Sequence, residues 1–355
     1  MGEKIYRAAI IGCGRVAWIL ETDPLGTYKP CTHAGAYRLC ARTDLVAGAD
    51  IRVDRRNKFA GEFQVPSVYH DYREMLEKDS PDIVSICAYA PQRRDMVLDA
   101  IEAGVKGIWC EKALATSLEE ADEIVDACSK NGVSLIVSHM RRWDPVYILA
   151  KKIIDDGEIG EPVSAVCHFS SSMLHTGTHA FDVLRFFFGE AVLAQAFLEA
   201  YQYAGHHDAM REKKELIEYD VGGYALLSFN NGVYVTVHGD SKGYFLFEFD
   251  ILGTEGRIRI GNWLFEVYRA EESKTESGLI ELSKKDKVCD NNLNVWTAAL
   301  EHLIDCMEGK AKNVSGPEDG RAALEIGLAI HESSRNRGKG VRLPLQNRTL
   351  KVISR

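Results

Sequence analysis

The sequence has little of what marks a disordered, secreted or membrane-embedded chain. Its 355 residues include only nine prolines, and they contain no tract of low complexity. The most apolar stretch, Ala180–Leu198, is interrupted by Asp182, Arg185 and Glu190, which argues against a membrane span. The first apolar run, from Ile5, passes into a glycine turn without a small-residue cleavage site, so we expect no signal peptide.

Two further absences narrow the class of function. The formal net charge is −9 and basic residues form only short clusters, which excludes a face suited to a nucleic-acid backbone. The nine cysteines include no C-x-x-C pair and several lie in apolar runs, a pattern typical of reduced, buried thiols. We therefore expect a cytoplasmic protein that binds a small molecule, without a nucleic-acid or membrane partner.

What the sequence does contain predicts two domains, because its length exceeds what one ordinary core supports. In residues 1–140, strand-like and helical stretches alternate regularly, which implies parallel strands joined by right-handed crossovers. This half is predicted to be an α/β Rossmann domain. The predicted strands are Ile5–Ile11, Leu45–Ala49, Ile83–Cys87, Gly107–Cys110 and Val133–Val137.

Residues 141–355 have a different pattern, in which alternating β-branched and aromatic runs are separated by turn signals such as Asn230-Asn-Gly. This pattern predicts an α+β domain with a large, mostly antiparallel open sheet. Helices are expected near Thr178–Phe188, Val295–Met307 and Pro317–Ser334.

A glycine motif follows the first predicted strand. Gly12-Cys-Gly-Arg-Val-Ala17 has the G-x-G-x-x-A spacing of a dinucleotide-binding turn. Gly12 permits a tight turn, Gly14 lets a pyrophosphate approach the backbone, and Ala17 lets a following helix pack closely. The N-terminus of that helix is expected to favour the phosphate charge. A glycine turn alone is weak evidence, but the α/β context favours cofactor binding over a structural turn.

Asp50 ends the second predicted strand, where a carboxylate accepts hydrogen bonds from ribose hydroxyls. It lies farther from the glycines than is usual, and the surplus falls in Trp18–Pro30, which we interpret as an inserted loop. A carboxylate repels a 2′-phosphate and favours NAD, whereas Arg52 and Arg55 are suited to NADP. The sequence favours NAD and leaves NADP open.

Two further motifs resemble those of one enzyme family. Cys110-Glu-Lys-Ala-Leu-Ala-Thr116 lies at the end of a later strand, and His175-Thr-Gly-Thr-His-Ala-Phe-Asp182 lies in the second half. With the glycine motif, in this order, they make the chain resemble the glucose–fructose oxidoreductase, inositol dehydrogenase and MocA (Gfo/Idh/MocA) family. The resemblance implies an NAD(P)-dependent dehydrogenase of a sugar, cyclitol or related polyol. It also implies a homo-oligomer, a dimer or a tetramer.

By this resemblance, Lys112 reaches the substrate hydroxyl or carbonyl, and His179 is the general acid/base. Asp182 orients His179 or binds a substrate hydroxyl, and the two lie three residues apart on one helix face. A lysine in cationic or desolvated surroundings can have its pKa lowered towards the working pH. Glu111 is expected to orient the site or contact the cofactor.

The chain departs from the family pattern at two positions. Ala113 replaces a proline after the lysine, and His175 replaces an aspartate four residues before His179. His175 is therefore a candidate to share the acid–base work. Its i, i+4 spacing from His179 also suits two metal ligands on one helix, but Gly177 weakens that helix and no third ligand is near, so no metal is predicted.

The candidate residues fall into three groups. The predicted catalytic residues are Lys112, His175, His179 and Asp182. The predicted cofactor-binding residues are Gly12, Cys13, Gly14, Arg15, Val16, Asp50, Arg52, Ala88, Glu111 and Lys112. Candidate substrate contacts are Tyr28, Arg142 and His179, whereas a structural role is favoured for His33, Arg93 and Trp296. Two alternatives stay open: a hydrolase in which tightly held NAD transiently oxidises a sugar, and a dinucleotide-binding sensor without catalysis.

Overall fold

The structure is a computed structural model that describes residues 4–26, 28–199, 217–240, 244–287, 289 and 293–354. The chain divides into two compact units. Unit 1 comprises Met1–Ala115, Glu119–Asp144 and Asn292–Arg321, and unit 2 comprises Thr116–Leu118, Pro145–Asn291 and Ala322–Arg355. Within the described ranges, no helix combines the length and the apolarity that a membrane crossing requires.

The strands of unit 1 are β1 (Tyr6–Ile11), β2 (Thr43–Ala49), β3 (Ser67–Tyr69), β4 (Ile83–Ile86), β5 (Gly107–Cys110) and β6 (Ser134–Val137). In the described part of this unit they form one parallel sheet in the order β3-β2-β1-β4-β5-β6. Every residue of β4 and β5 is buried, as expected for parallel strands that are covered on both faces. The predicted Rossmann sheet is confirmed, and β3 is an added strand too short for its alternation to be recognised.

The described α-helices of the chain are α1 (His33–Leu39), α2 (Val53–Phe63), α3 (Tyr72–Asp79), α4 (Ala90–Glu102), α5 (Leu118–Asn131), α6 (Pro145–Asp155), α7 (Gly177–Phe188), α8 (Val295–Met307) and α9 (Pro317–Arg335). Helix α1 begins after Thr32, whose hydroxyl accepts a hydrogen bond from the Gly35 N–H at 3.0 Å. Helix α8 begins in the same way after Asn294, whose side-chain oxygen accepts from the Trp296 N–H at 2.9 Å. Both residues are favoured N-caps, because their side-chain oxygens satisfy N–H groups that the first helical turn leaves unpaired.

Helix α8 packs within unit 1. Its apolar residues join the buried cluster of unit 1 that contains Trp109: they are Ala299, Leu300, Leu303 and Ile304. Since burial of this face stabilises the first core, Asn292–Arg321 belongs to unit 1. The sequence analysis predicts one division after residue 140, whereas the contacts group this later segment with the two earlier stretches of unit 1, Met1–Ala115 and Glu119–Asp144.

The strands of unit 2 are β7 (Pro162–Ser170), β8 (Ala191–Leu198), β9 (Ile217–Tyr219), β10 (Gly223–Phe229), β11 (Tyr234–Asp240), β12 (Phe247–Gly253), β13 (Gly256–Gly261), β14 (Leu264–Glu272), β15 (Ile280–Lys285), β16 (Val341–Arg342) and β17 (Lys351–Ile353). The described residues form a nine-stranded sheet in the order β15-β14-β13-β12-β7-β11-β10-β8-β16. Its pairs are antiparallel except for β7 with β11, and β9 pairs separately with β17. Buried and exposed side chains alternate along β10, so one sheet face is packed and the other is open, as predicted.

The nine cysteines are free thiols, in agreement with the expectation of a chain without a disulfide framework. The expectation that they are buried holds for five of them. The four that are partly exposed are Cys31, Cys87, Cys289 and Cys306.

Candidate functional site

The carboxyl ends of four neighbouring strands meet at one edge of the unit 1 sheet. The segments that follow them carry predicted cofactor residues: Gly12 after β1, Asp50 after β2, Ala88 after β4 and Glu111 after β5. The strand order reverses between β1 and β4, and nucleotides bind in the crevice that such a reversal creates. This edge of unit 1 therefore has the topology of a dinucleotide site.

The two glycines of the turn differ in the space around them. Gly12 has a φ of +89°, and a Cβ there would lie 3.0 Å from the Ala88 nitrogen and 3.0 Å from the Cys87 carbonyl carbon. Any side chain at Gly12 would thus be strained and would press on the segment after β4. At Gly14, by contrast, a Cβ would meet only the Arg55 guanidinium, at 3.8 Å. Open space beside a cation fits the pyrophosphate of a dinucleotide.

The helix expected directly after the glycine motif begins instead at His33. Turns and a short 3-10 helix, Ile19–Thr22, follow Gly14. The chain then returns to the motif, where the His33 N–H donates to the Val16 carbonyl at 3.3 Å and the Ala34 N–H donates to the Ala17 carbonyl at 2.9 Å. The inserted residues therefore interrupt the expected helix, and the prediction of an α-helix N-terminus at the motif is wrong.

A buried carboxylate holds the two ends of the inserted loop together. Glu21 is only 6% exposed, and its Oε2 accepts from the Cys31 N–H at 3.0 Å and from the Thr32 hydroxyl at 2.9 Å. Charge-assisted hydrogen bonds of this kind are stronger than neutral ones. Glu21, near the start of the loop, is therefore fixed to Cys31 and Thr32 at its end.

Asp50 is held against the glycine turn. Its Oδ2 accepts from the Cys13 N–H at 2.8 Å, and its Oδ1 accepts from the Arg52 N–H at 2.8 Å. A carboxylate offers about four acceptor positions, so others remain for ribose hydroxyls. The Cys13 thiol is buried, and burial, with a smaller effect of the Asp50 charge, raises its pKa. Cys13 therefore contributes its backbone N–H, and its thiol stays protonated.

The arginines after Asp50 have different partners. Arg52 forms an exposed ion pair with Asp54, in which Nη2 lies 2.9 Å from Oδ2. Arg56 donates from Nη1 to the Asp50 carbonyl at 3.1 Å. Of the two arginines considered for NADP, Arg52 is thus already neutralised by Asp54, whereas Arg55 faces the glycine motif.

A buried chain of hydrogen bonds leads to Glu111. The Tyr37 hydroxyl lies 2.8 Å from the Ser85 hydroxyl, which lies 2.9 Å from His33 Nδ1. His33 Nε2 in turn lies 3.2 Å from Glu111 Oε1. Burial alone would raise the pKa of Glu111, but the hydrogen bond from His33 and the charges of Lys112 and Arg93 lower it to about 2. Glu111 is therefore ionised at any physiological pH.

Arg93 supports the segment that carries Lys112. Its buried guanidinium donates to the Ala88 carbonyl at 3.0 Å and to the Ala113 carbonyl. The segments after β4 and β5 are thereby joined, and Lys112 lies half-buried between Glu111 and Ala113. The Lys112–Ala113 peptide bond is cis, although the sequence has no proline there. His33 and Arg93, expected to be structural or peripheral, thus hold the predicted active-site strand end; only their buried partners reveal this.

In unit 2, the second motif lies at the start of α7. His175 is exposed in the turn before the helix, His179 is half-buried in its first turn, and Asp182 is fully buried. The predicted i, i+3 relation of His179 and Asp182 on one helix is therefore present. Because His175 precedes the helix, the i, i+4 argument for two metal ligands on one helix face does not apply.

The remaining candidates have partners within the protein. No group of three or more His, Cys, Asp or Glu side chains in the described segments is arranged to hold a metal ion. The exposed Tyr28 donates its hydroxyl to the Leu293 carbonyl at 3.0 Å. Arg142 lies 3.6 Å from Asp319 as an ion pair. Trp296 packs edge-on against His33, with ring centroids 5.4 Å apart, which is a structural role.

Comparison with known families decides the classification. The model of an oxidoreductase family with an NAD-binding Rossmann fold matches residues 6–139, and the model of that family's C-terminal alpha/beta domain matches residues 168–343. The chain belongs to the Gfo/Idh/MocA oxidoreductase family. Its first domain is the NAD-binding domain of that family, which agrees with the geometry at Gly12, Gly14 and Asp50.

Relatives within the Gfo/Idh/MocA family span nearly the whole chain. The scyllo-inositol 2-dehydrogenase (NAD(+)) of Bacillus subtilis (strain 168) is 25% identical over 352 residues, which cover 94% of this chain and 95% of that protein. The myo-inositol 2-dehydrogenase of Thermotoga maritima is 22% identical and covers 92% of this chain and 96% of its own. The crystal structure of an NAD-binding oxidoreductase from Klebsiella pneumoniae has a TM-score of 0.77 at 20% identity, over 96% of this chain and 99% of that one, and shows the shared fold.

Proposed function

We propose that this oxidoreductase is an NAD-dependent dehydrogenase that oxidises a secondary alcohol of a cyclitol or sugar. The observation that carries the proposal is the position of Lys112 at the edge of the NAD-binding sheet, directly after the buried Glu111, whose pKa the charge of Lys112 helps to lower. Two relatives that span the chain are named as inositol 2-dehydrogenases, which supports a cyclitol as the substrate class.

The chemistry divides between a hydride and a proton. Oxidation of the alcohol removes a hydride from carbon and the hydroxyl proton from oxygen, and bound NAD supplies the hydride acceptor. We assign the proton to a ring nitrogen of His179, with Asp182 orienting the ring. The Lys112 ammonium donates from Nζ to the alcohol oxygen and stabilises the negative charge that develops there. His175 is proposed to share the proton transfer.

NAD is proposed over NADP because of the partners of two side chains. The Asp50 carboxylate lies against the glycine turn and would repel a 2′-phosphate. Arg52, which would otherwise attract that phosphate, is paired with Asp54. We further propose that Tyr28 and Arg142 contact the substrate, as a hydrogen-bonding hydroxyl and a cation respectively.

Self-association is proposed through the open face of the unit 2 sheet. Strand register places Phe197 of β8 opposite Tyr224 of β10, and Tyr224, Leu226 and Tyr234 occupy exposed positions of the same face. Apolar side chains grouped on one exposed face are typical of protein interfaces. Light scattering of the purified protein is expected to give a dimer or tetramer, and a monomer at all concentrations would contradict this.

The function is tested in two stages on the purified protein. Titration with NADH and NADPH, followed by cofactor fluorescence, is expected to show tighter binding of NADH. Reduction of NAD+ is then followed at 340 nm with scyllo-inositol, myo-inositol and D-glucose, and turnover of at least one of the two inositols is expected. NADH binding without turnover of any probe would contradict the proposed dehydrogenase. Cleavage of a glycoside without net NADH would instead support the hydrolase alternative.

A further inference from the structure

A buried carboxylate gathers the turn that precedes α7. The Asp220 side chain is 2% exposed. Its Oδ2 accepts from the Ser172 hydroxyl at 2.5 Å and from the His175 N–H at 2.8 Å, and its Oδ1 accepts from the Leu174 N–H at 2.8 Å. One side chain thus binds three residues of the turn through both of its oxygens.

Further donors reach Asp220 from the C-terminal part of unit 2. The Ser354 hydroxyl donates to Oδ2 at 3.0 Å, and His331 Nε2 of α9 lies 3.3 Å from Oδ1. The other ring nitrogen of His331 lies 3.6 Å from Glu218, which is also paired with Arg335. Burial alone would lower the pKa of His331, but hydrogen bonds to Asp220 and Glu218 raise it. The two carboxylates thus favour the protonated form of the ring, in which Nε2 donates to Asp220.

The turn held by Asp220 leads directly to His179. Leu174, whose N–H is bound by Asp220, accepts at its carbonyl from the Thr178 hydroxyl at 2.9 Å. His179 is the next residue, and its own N–H donates to the Thr176 carbonyl at 3.1 Å. The position of the His179 backbone is thereby tied to Leu174, and the position of Leu174 to Asp220.

We propose that Asp220 is a positioning residue, which fixes the turn at residues 172–176 so that His179 is held in its reactive orientation. The inference rests on the proposed role of His179 in proton transfer. A carboxylate is required because the groups around Asp220 all donate, and an ionised carboxylate only accepts. An amide at this position would keep one acceptor oxygen and direct two N–H groups at donors.

The test compares Asp220→Asn with Glu218→Gln, its matched control. Glu218 shares His331 with Asp220, and its described partners are His331 and Arg335 rather than the turn. With the inositol that the wild type oxidises, Asp220→Asn is expected to lower kcat by about 100-fold, the cost of a misplacement near 1 Å. The KM for NAD+ is expected to stay unchanged. Hydrogen exchange of the 172–176 amides, measured by mass spectrometry, is expected to become at least about tenfold faster, as loss of a charge-assisted bond allows.

The proposal is overturned by either of two results with the first pair of variants. Unchanged exchange at 172–176 in folded Asp220→Asn would overturn the proposal, as would an equal loss of kcat in Glu218→Gln. If Asp220→Asn does not fold, Ser172→Ala removes one bond to the same carboxylate, and about a tenfold loss of kcat with faster exchange is expected. Unchanged exchange and kcat in Ser172→Ala would then overturn the proposal. If the wild type oxidises no probe, the proposed function fails, while the exchange comparison still decides whether Asp220 holds the turn.

Discussion

The two units support their proposed reactive side chains by different means. In unit 1, Lys112 follows a central parallel strand, and its support comes from Glu111 beside it, with His33 and Arg93 behind. In unit 2, His179 lies on a helix whose preceding turn is held by Asp220. Glu111 thus acts as a charge beside a cation, whereas Asp220 acts as an acceptor for backbone N–H groups. A buried carboxylate thus provides a negative charge in unit 1 and fixes the position of a turn in unit 2.

The largest effect is expected from removing the reactive groups themselves. Lys112→Ala and His179→Ala are each expected to lower kcat by about 1,000-fold, the middle of the range for acid–base and electrostatic catalysis. NADH binding, measured by fluorescence, is expected to stay within about twofold, because neither loss removes the glycine turn.

Two variants serve as matched controls. Lys106 lies exposed just before β5, the same strand whose other end leads to Lys112, and His168 is a half-buried histidine of unit 2. Lys106→Ala and His168→Ala are expected to keep wild-type turnover. Full activity in Lys112→Ala or His179→Ala would refute the corresponding assignment.

The next effect concerns stability of unit 1. Glu111→Gln leaves His33 and Arg93 without their buried anion and is expected to cost about 3 kcal/mol in the free energy of unfolding. Denaturant unfolding measures this cost. Glu74→Gln, which breaks only an exposed pair with Lys78, is expected to cause no measurable change. Equal stabilities of the two variants would show that Glu111 is not a stabilising charge.

One buried group in each unit, Glu111 and His331, is expected to make stability depend on pH in opposite directions. The pKa of Glu111 falls from 4.5 to about 2 on folding, so its contribution is present above pH 4.5 and is lost as the pH falls towards 2. The pKa of His331 is raised above 6.5, so its contribution is present below pH 6.5 and is lost as the pH rises through the raised value.

This pH prediction is checked by the free energy of unfolding measured from pH 3 to pH 9 in single variants. Glu111→Gln is expected to reduce the loss of unfolding free energy at acid pH (the acid limb of the curve). His331→Gln is expected to reduce the loss at alkaline pH (the alkaline limb). Since the pKa of Asp220 is also lowered, part of the acid limb is expected to remain in Glu111→Gln. An unchanged alkaline limb in His331→Gln would contradict the assignment in unit 2.

The smallest effect is expected at the ribose. Asp50→Ala is expected to weaken NADH by about tenfold and NADPH by less, since one charge-assisted hydrogen bond is lost and repulsion of the 2′-phosphate is relieved. Asp54→Ala, the control, releases Arg52 without touching Asp50 and is expected to strengthen NADPH alone. Equal weakening of both nucleotides in Asp50→Ala would count against its ribose contact.

Short-range patterns explain which features the sequence predicted. Strand–helix alternation predicted the parallel sheet, and the start of α7 was placed at Thr178, one residue from its observed start at Gly177. Gly12 and Asp50 could be predicted because a glycine turn and the end of a strand are both recognisable from a few consecutive residues. The partner of Arg52, Asp54, lies two residues away, yet only side-chain geometry shows the pair.

The missed features depend on contacts between distant parts of the chain. The apolar face of α8 is equally suited to either core, so its pattern could not indicate that it packs near Trp109. Asp220 carries no motif, and its role appears only when Leu174 and His331 lie beside it. A buried polar group is explained by its partners, which periodicity does not identify.

The inserted loop that contains Glu21 can change in length with little effect on the folding of unit 1. Because the chain leaves after Ala17 and returns at His33, the intervening length can change at a closure cost that grows only with its logarithm. Shorter or longer versions would leave the glycine turn and α1 in place. A change of length in this part of unit 1 is therefore expected to disturb the dinucleotide edge of the sheet least.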